Sequence, residues 1–143
     1  LNGGRLNIAA CSLGGAQEAF DRALTYSRER KQFGQPIGDF QNTAFALADM
    51  ETSLQASRTF LYTAAEAMDA GRGDTATQCA MAKRFVTDAC FDVANRALQI
   101  HGGYGYLSEY GIERIVRDLR VHQILEGTNE IMRLMIARGL QKQ

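Results

Sequence analysis

Apolar residues recur every three or four positions along most of the chain, and this spacing predicts long amphipathic helices. The first stripe predicts a helix from Arg5 to Arg30 and comprises Leu6, Ala9, Leu13, Ala16, Phe20 and Leu24. The second predicts a helix over about 40–70 and comprises Leu47, Met50, Leu54, Leu61, Ala65 and Met68. The third comprises Cys79, Ala82, Val86, Ala89, Val93, Ala97 and Ile100. Two shorter helices are predicted near 110–120 and 127–140.

Breakers separate these helices. The segment KQFGQPIGDF at 31–40 contains the only proline, Pro36, and two glycines, so it predicts a loop. Thr75 and Gln78 have the spacing of a capping box at the start of the third helix. The glycine- and tyrosine-rich segment 102–110 predicts an ordered loop. Short connections favour an all-α fold, an up-and-down, four-helix-bundle-like domain with an extra short helix, and no strand pattern competes with it.

Composition narrows the class of function. The 143 residues make one domain, and 16 basic and 16 acidic side chains leave no net charge. This balance argues against nucleic acid and anionic membranes as partners. The chain has no apolar run of spanning length and no signal-peptide layout. It begins at Leu1 without a methionine, which indicates a piece of a longer protein.

Metal, disulfide and nucleotide-fold chemistry find little support. Cys11, Cys79 and Cys90 are odd in number and lack metal-type spacing, so we interpret them as small buried hydrophobes in a reducing compartment. His101 and His122 are isolated from each other and from acidic clusters, which predicts no metal site. No GxGxxG, Walker or GxSxG motif is present, which argues against nucleotide-binding folds and serine hydrolases.

Three segments stand out chemically: RERKQFGQPIGDFQ at 28–41, QIHGGYGY at 99–106 and RDLRVHQILEGTNEIMR at 117–133. The last sets one carboxylate, Glu126, at a junction between a loop and a helix. Each segment also has an ordinary interpretation. A glutamate in a first helical turn complements the helix dipole, as do cations such as Arg30 in a last turn. A histidine before a glycine, here His101, commonly caps a helix end.

In their order and spacing, these segments resemble the acyl-CoA dehydrogenase family, and nearly the whole chain resembles its C-terminal helical domain. The resemblance implies that Glu126 is the catalytic base, which removes the α-proton of an acyl-CoA thioester while the β-hydrogen leaves as hydride to FAD. A minority of relatives place the base immediately before the arginine that corresponds to Arg5. That position is Gly4 here, so the resemblance assigns the base to Glu126.

The resemblance also implies two sets of binding residues. Those expected to bind FAD are Arg30, Gln32, Phe33, Phe40, Gln41, Gln99, Ile100, His101, Gly102, Gly103, Thr128, Asn129 and Glu130. Those expected to bind the substrate are Asn2, Gly3, Gly4, Arg5, Leu125, Gly127 and Arg138. Glu130 departs from the glutamine that several relatives have at this position.

NGGR, ACSLGGA and HQILEGTNE look most like the short branched-chain members that oxidise isobutyryl-CoA, and Leu125 is compatible with this. The family further implies an electron-transferring flavoprotein as the electron acceptor. It also implies a homotetramer built as a dimer of dimers. The corresponding location is the cytoplasm of a bacterium or the mitochondrial matrix of a eukaryote.

Two alternatives remain open. The family enzyme also needs an N-terminal helical domain and a middle β-domain, neither of which lies within 1–143. The chain could therefore be a non-catalytic helical domain that only folds and oligomerises, and in isolation we expect it to be inactive. Alternatively, the parent could be an acyl-CoA oxidase or a flavin monooxygenase of the same superfamily.

Overall fold

Three long helices and two shorter ones form most of residues 1–141, the part of the chain that the computed structural model describes. The helices are α1 (Asn2–Glu29), α2 (Gln41–Asp69), α3 (Thr75–His101), α4 (Ile112–His122) and α5 (Asn129–Leu140). Two short strands, β1 (Lys31–Gln32) and β2 (Gln35–Pro36), and two 3₁₀ turns, Ile37–Asp39 and Gly102–Tyr106, complete the described part. The predicted all-α class is confirmed.

Helix α3 is the centre of the fold, because it packs against each of the other four helices. Its buried face meets α1 through many alanines. Fully buried examples on the two helices are Ala9, Ala16, Ala19, Ala23, Ala82, Ala94 and Ala97. Such small side chains let two backbones approach closely, while larger residues such as Leu54 and Val86 fill the space toward α2. The predicted stripes therefore do form the core, although some of their members are only half-buried, namely Leu24, Leu47, Ala65, Met68, Ala89 and Ile100.

The segment predicted as a loop contains a small antiparallel hairpin, which no strand pattern in the sequence indicated. Lys31 pairs with Pro36 and Gln32 with Gln35. Phe33 and Gly34 form the turn with φ of 53° and 83°, the left-handed conformation that tight hairpins require. A pairing of two residues per strand is too short to produce an alternating pattern.

The predicted capping box at the start of α3 was also wrong. Asp74 is the N-cap residue, and Gln78 Nε2 donates to its carboxylate at 3.0 Å. The Thr75 hydroxyl instead donates back to the carbonyls of Ala67 and Arg72. Because the Thr75 hydroxyl is bound to these carbonyls of the preceding turn, it does not cap the helix.

Two of the three cysteines are buried, so the prediction that all three are buried was wrong for the remaining one. Cys11 is exposed on α1, whereas Cys79 and Cys90 are fully buried in α3. Burial raises the pKa of the Cys90 thiol to about 12. No helix among residues 1–141 has the length and apolar character needed to cross a membrane.

Candidate active site

Glu126 lies in the turn between α4 and α5. Its φ is +56°, and that of Gly127 is +90°. Left-handed backbone is uncommon for a residue with a side chain, and where it occurs it is enriched at functional sites. Helix α5 begins at Asn129 with Thr128 as its N-cap, so Glu126 precedes the helix and is exposed. The ordinary interpretation, a glutamate in the first helical turn, therefore applies to Glu130 and not to Glu126.

The carboxyl group of Glu126 lies directly against Gly4 in the first turns of α1. A Cβ atom added at Gly4 would be 2.8 Å from the carboxyl carbon of Glu126 and 3.3 Å from its Oε1. Real Cβ atoms essentially never approach other heavy atoms as closely as 2.8 Å, so a side chain at this position would displace the carboxylate. The missing side chain of Gly4 therefore leaves room for Glu126.

Arg5 follows Gly4 on α1 and is only 7% exposed. One of its terminal nitrogens, Nη1, donates to Asn2 Oδ1 at 2.8 Å. Its Nε is buried and has no hydrogen-bond partner within residues 1–141. A buried donor without an acceptor costs about 1–3 kcal/mol.

The structure thus brings together most of the residues expected to bind the substrate. Asn2, Gly3, Gly4 and Arg5 form the start of α1, and Leu125 and Gly127 flank Glu126. Arg138 lies apart. It lines a cavity of about 420 Å³ with residues at the start of α3, among them Asp74 and Thr77. Arg138 is nine positions past Asn129, the start of α5, which corresponds to about 14 Å along the helix.

Most of the residues expected to bind FAD line two adjoining cavities elsewhere on the surface. The first cavity, of about 460 Å³, is lined by Tyr26, Arg30, Gln32, Ile37, Ile100, His101, Gly102, Gly103, Tyr104 and Leu107. The second, of about 600 Å³, is lined by Gln32, Phe33, Ile37, Phe40, Asn42, Thr43, Ala46, Arg96, Gln99 and Ile100. Gln41 is exposed at the start of α2 and lines neither cavity.

At these cavities, Arg30 provides a positive charge and Phe33 provides an exposed aromatic ring. The Arg30 guanidinium carbon lies 5.3 Å from the centre of the Tyr104 ring. The Phe33 side chain is 93% exposed and meets Phe40 edge-on, with ring centres 6.1 Å apart. An exposed aromatic ring held on a tight turn is available for stacking.

His101 has a structural role through its side chain. Its Nδ1 donates to the carbonyl of Ala97 at 2.8 Å, and its ring stacks on Tyr26 with centres 4.5 Å apart. Gly102 and Gly103 follow without side chains, so this part of the first cavity wall consists largely of backbone.

The third group of expected FAD contacts lies just beyond Glu126 and not at the two cavities. Thr128 Oγ1 accepts from Ile131 N at 3.3 Å, and the Glu130 side chain is 81% exposed. Asn129 is only 3% exposed, and both ends of its amide are bound within the chain. Its Oδ1 accepts from Lys83 Nζ at 2.8 Å, and its Nδ2 donates to Asp88 Oδ1 at 2.7 Å. Its backbone N–H is also used, since it donates to Gln123 O at 3.0 Å, so neither the amide side chain nor this N–H is free for a cofactor.

Lys83 is a residue of this site that the sequence analysis missed. It is fully buried, and its Nζ donates to the Gly127 carbonyl at 2.8 Å. Burial lowers the pKa of this amine. The signal was its position four residues after Cys79 and four before Thr87, which places a charge on the buried face of α3.

The chain is similar to known proteins of one family. A family model described as "Acyl-CoA dehydrogenase, C-terminal domain" matches residues 1–141. The mitochondrial isobutyryl-CoA dehydrogenase of Bos taurus is 54% identical over 98% of this chain and 34% of that protein. A subunit of the caffeyl-CoA reductase-Etf complex of Acetobacterium woodii is 46% identical over 99% of this chain and 37% of that protein.

A solved structure shows the same similarity in three dimensions. The butyryl-CoA dehydrogenase of Megasphaera elsdenii superposes with a TM-score of 0.94 and 41% identity, over 98% of this chain and 36% of that one. The chain thus spans about a third of the length of the relatives it matches. By sequence and by fold, the chain belongs to the acyl-CoA dehydrogenase family, whose C-terminal domain it matches.

Proposed function

We propose that this chain provides the catalytic base of an FAD-dependent acyl-CoA dehydrogenase, and that Glu126 is that base. The observation that carries the proposal is the contact between the Glu126 carboxyl group and Gly4. This carboxylate is held on a left-handed backbone turn and lies against the start of α1, the segment that also carries Arg5. The reaction converts an acyl-CoA thioester to the 2-enoyl-CoA.

Glu126 accepts the proton from the α-carbon, and the electron pair of that bond forms the double bond to the β-carbon as the β-hydrogen leaves as hydride. Bound FAD supplies the acceptor for that hydride. Ile124 and Leu125, which precede the base, are 50% and 43% exposed. An acyl chain lying on them would exclude water from the carboxylate and raise its basicity, as proton removal beside a carbonyl requires.

The two adjoining cavities fit the nucleotide end of FAD. Arg30 supplies a cation for the pyrophosphate. Because the chain has no net charge, an anionic ligand depends on such an individual cation. Phe33 supplies an exposed ring, and the backbone around Gly102 and Gly103 allows close approach. These cavities do not include Glu126, so a second subunit is proposed to contribute the other part of each FAD site. The proposed assembly is the homotetramer implied by the family.

The remaining assignments extend this proposal. A short branched acyl-CoA, such as isobutyryl-CoA, is the proposed substrate, supported by the 54% identity to the Bos taurus enzyme. An electron-transferring flavoprotein is the proposed acceptor, supported by the relative from a reductase-Etf complex. An N-terminal helical domain and a middle β-domain are proposed to supply the other walls of the site.

Flavin reduction in the full-length parent protein tests the role of Glu126. Anaerobic mixing of the Glu126→Gln variant with isobutyryl-CoA or butyryl-CoA should bleach the flavin about 1,000-fold more slowly, because an amide cannot accept the α-proton. FAD content should stay normal. Glu66→Gln, an exposed change on α2, is the matched control and should leave the rate unchanged. Near-normal bleaching in Glu126→Gln would place the base elsewhere.

Reoxidation separates dehydrogenation from the oxidase alternative. After reduction by acyl-CoA, the parent's flavin should transfer electrons rapidly to an electron-transferring flavoprotein and only slowly to dioxygen. Fast reoxidation by dioxygen with stoichiometric hydrogen peroxide would assign the protein to the oxidases.

A further inference from the structure

Lys83 is a fully buried charged side chain that bonds to the turn containing Glu126. Lysine is almost never fully buried unless it is paired. None of the ion pairs among residues 1–141 involves Lys83, and its Nζ donates instead to Gly127 O and Asn129 Oδ1, both at 2.8 Å. An apolar side chain of similar length would avoid the desolvation that lowers the pKa of this amine. The amine therefore has a role as a donor at this position.

Asp88 lies on α3 about one helical turn past Lys83. Its carboxylate accepts hydrogen bonds from both ends of the loop that contains Glu126. Its Oδ1 accepts from Gln123 Nε2 at 2.9 Å and from Asn129 Nδ2 at 2.7 Å. The backbone closes across the same two residues, since Asn129 N donates to Gln123 O at 3.0 Å. Lysine only donates and a carboxylate accepts, so these two partners also fix the orientation of the Asn129 amide.

Between these two ends, the backbone adopts a conformation that is unfavourable without support from neighbouring residues. Glu126 has a left-handed φ of +56°, which side chains disfavour and which persists only where the surroundings enforce it. The bond from Lys83 fixes the carbonyl of Gly127, the residue that follows. Without that bond, the Glu126 backbone is free to relax to a negative φ, and its carboxyl group would leave Gly4.

We propose that Lys83 is a positioning residue for proton abstraction: with Asp88, Gln123 and Asn129 it forms a loop anchor that holds the Glu126 carboxylate against Gly4. Lys83 acts through the Gly127 backbone and does not touch the substrate. The inference rests on the proposed role of Glu126 as the base. A lysine that served only stability would affect unfolding but not the chemical step of the folded enzyme.

The test is rapid mixing of the full-length, FAD-containing enzyme with isobutyryl-CoA, which gives a limiting rate of flavin reduction and an apparent Kd. In Lys83→Met the limiting rate should fall about 100-fold, because misplacing a reacting group by about 1 Å has an effect of this size. The apparent Kd should change by less than about threefold, since Lys83 makes no hydrogen bond to the substrate-binding residues at the start of α1. Lys83→Gln keeps an uncharged NH2 donor group at this position and should recover about tenfold of the lost rate.

Leu54→Ala is the matched control, because Leu54 is fully buried in α2 and belongs to neither cavity nor the anchor. It should lower the thermal midpoint while leaving the limiting rate unchanged. The proposal is overturned if Lys83→Met reduces flavin at the parent rate. It is also overturned if Leu54→Ala loses as much rate as Lys83→Met at an equal loss of thermal midpoint.

If Lys83→Met does not fold, Gln123→Ala decides the question. Gln123 is half-buried, so the change is tolerated, and it removes one donor to Asp88. A fall of about tenfold in the limiting rate at unchanged Kd supports the anchor, and an unchanged rate overturns it.

Glu126→Gln is measured alongside. Parent-like reduction in that variant refutes the base assignment itself, an outcome distinct from any result at Lys83.

Discussion

The Glu126 carboxyl group fills the space where a side chain at Gly4 would project. The two residues lie at opposite ends of the chain, in the first turn of α1 and in the turn before α5. A Cβ at Gly4 would come within 2.8 Å of the Glu126 carboxyl carbon. The location of the proposed base therefore depends on an absent side chain as much as on the glutamate.

Gly4→Ala should lower the limiting rate of flavin reduction in the full-length enzyme about 10- to 100-fold, because the new methyl group displaces the carboxylate. The fold should survive, since alanine favours a helix over glycine by about 0.5–1 kcal/mol. Gly14→Ala is the matched control. Gly14 lies on the same helix, and a Cβ there meets nothing within 4 Å. A full rate in Gly4→Ala would show that the carboxylate need not occupy this position.

Arg30→Ala should reduce FAD retention much more than it reduces helix content, because a charge-assisted contact to phosphate is lost at a helix end that water can otherwise hydrate. Arg30 lines the first cavity, whereas Arg28, two residues earlier, is exposed and does not. Arg28→Ala is therefore the control and should retain FAD. FAD content after gel filtration and the thermal midpoint are the measurements. If FAD is lost only in proportion to the fall in the thermal midpoint, Arg30 stabilises the fold and does not bind FAD.

His122 should make stability depend on pH. Burial lowers the pKa of this imidazole, outweighing the opposite effect of Asp118. Between this lowered pKa and the ordinary histidine pKa of about 6.5 the folded state binds fewer protons than the unfolded state. The stability that His122 contributes is therefore present above about pH 6.5 and is lost as the pH falls from there through the lowered folded-state pKa. Its Nδ1 donates to the buried Ser12 hydroxyl at 2.8 Å, because that hydroxyl donates to Ile8 O.

The urea midpoint should therefore fall between pH 7.5 and pH 5.5, and His122→Gln should reduce this dependence. An equal pH dependence in both proteins would assign it to other groups.

The 143-residue chain alone should be strongly helical, colourless and inactive with acyl-CoA. Its helices bury their stripes against each other, but a ligand that meets only one wall of its site loses most of its buried area. The chain should also associate, since Ile124, Leu125, Ile131 and Leu134 expose apolar surface near the turn of Glu126. Circular dichroism, the visible spectrum and sedimentation are the measurements. A yellow preparation that reduces an acceptor would contradict the first claim, and a sharp monomer only the second.

Helix existence was predictable because an amphipathic stripe is a local property. The stripe from Leu6 to Phe20 and the stop at Gly102 suffice to predict two of the long helices. Details that depend on competing local hydrogen bonds were not predictable. Thr75 has the right spacing for a cap, but the carbonyls of the preceding turn bind its hydroxyl first. Glu126 was predictable as a site residue only from its surrounding motif.

The sequence by itself determined the helical class, the core stripes and the segments that carry the site, because each depends on residues close together along the chain. Only the tertiary structure decided that Gly4 lies against Glu126, that Lys83 holds the turn and that Arg138 lies elsewhere. These relationships join residues on different helices. They follow from how α1, α3 and α5 pack, and the spacing of residues within one helix contains no information about the distance to another.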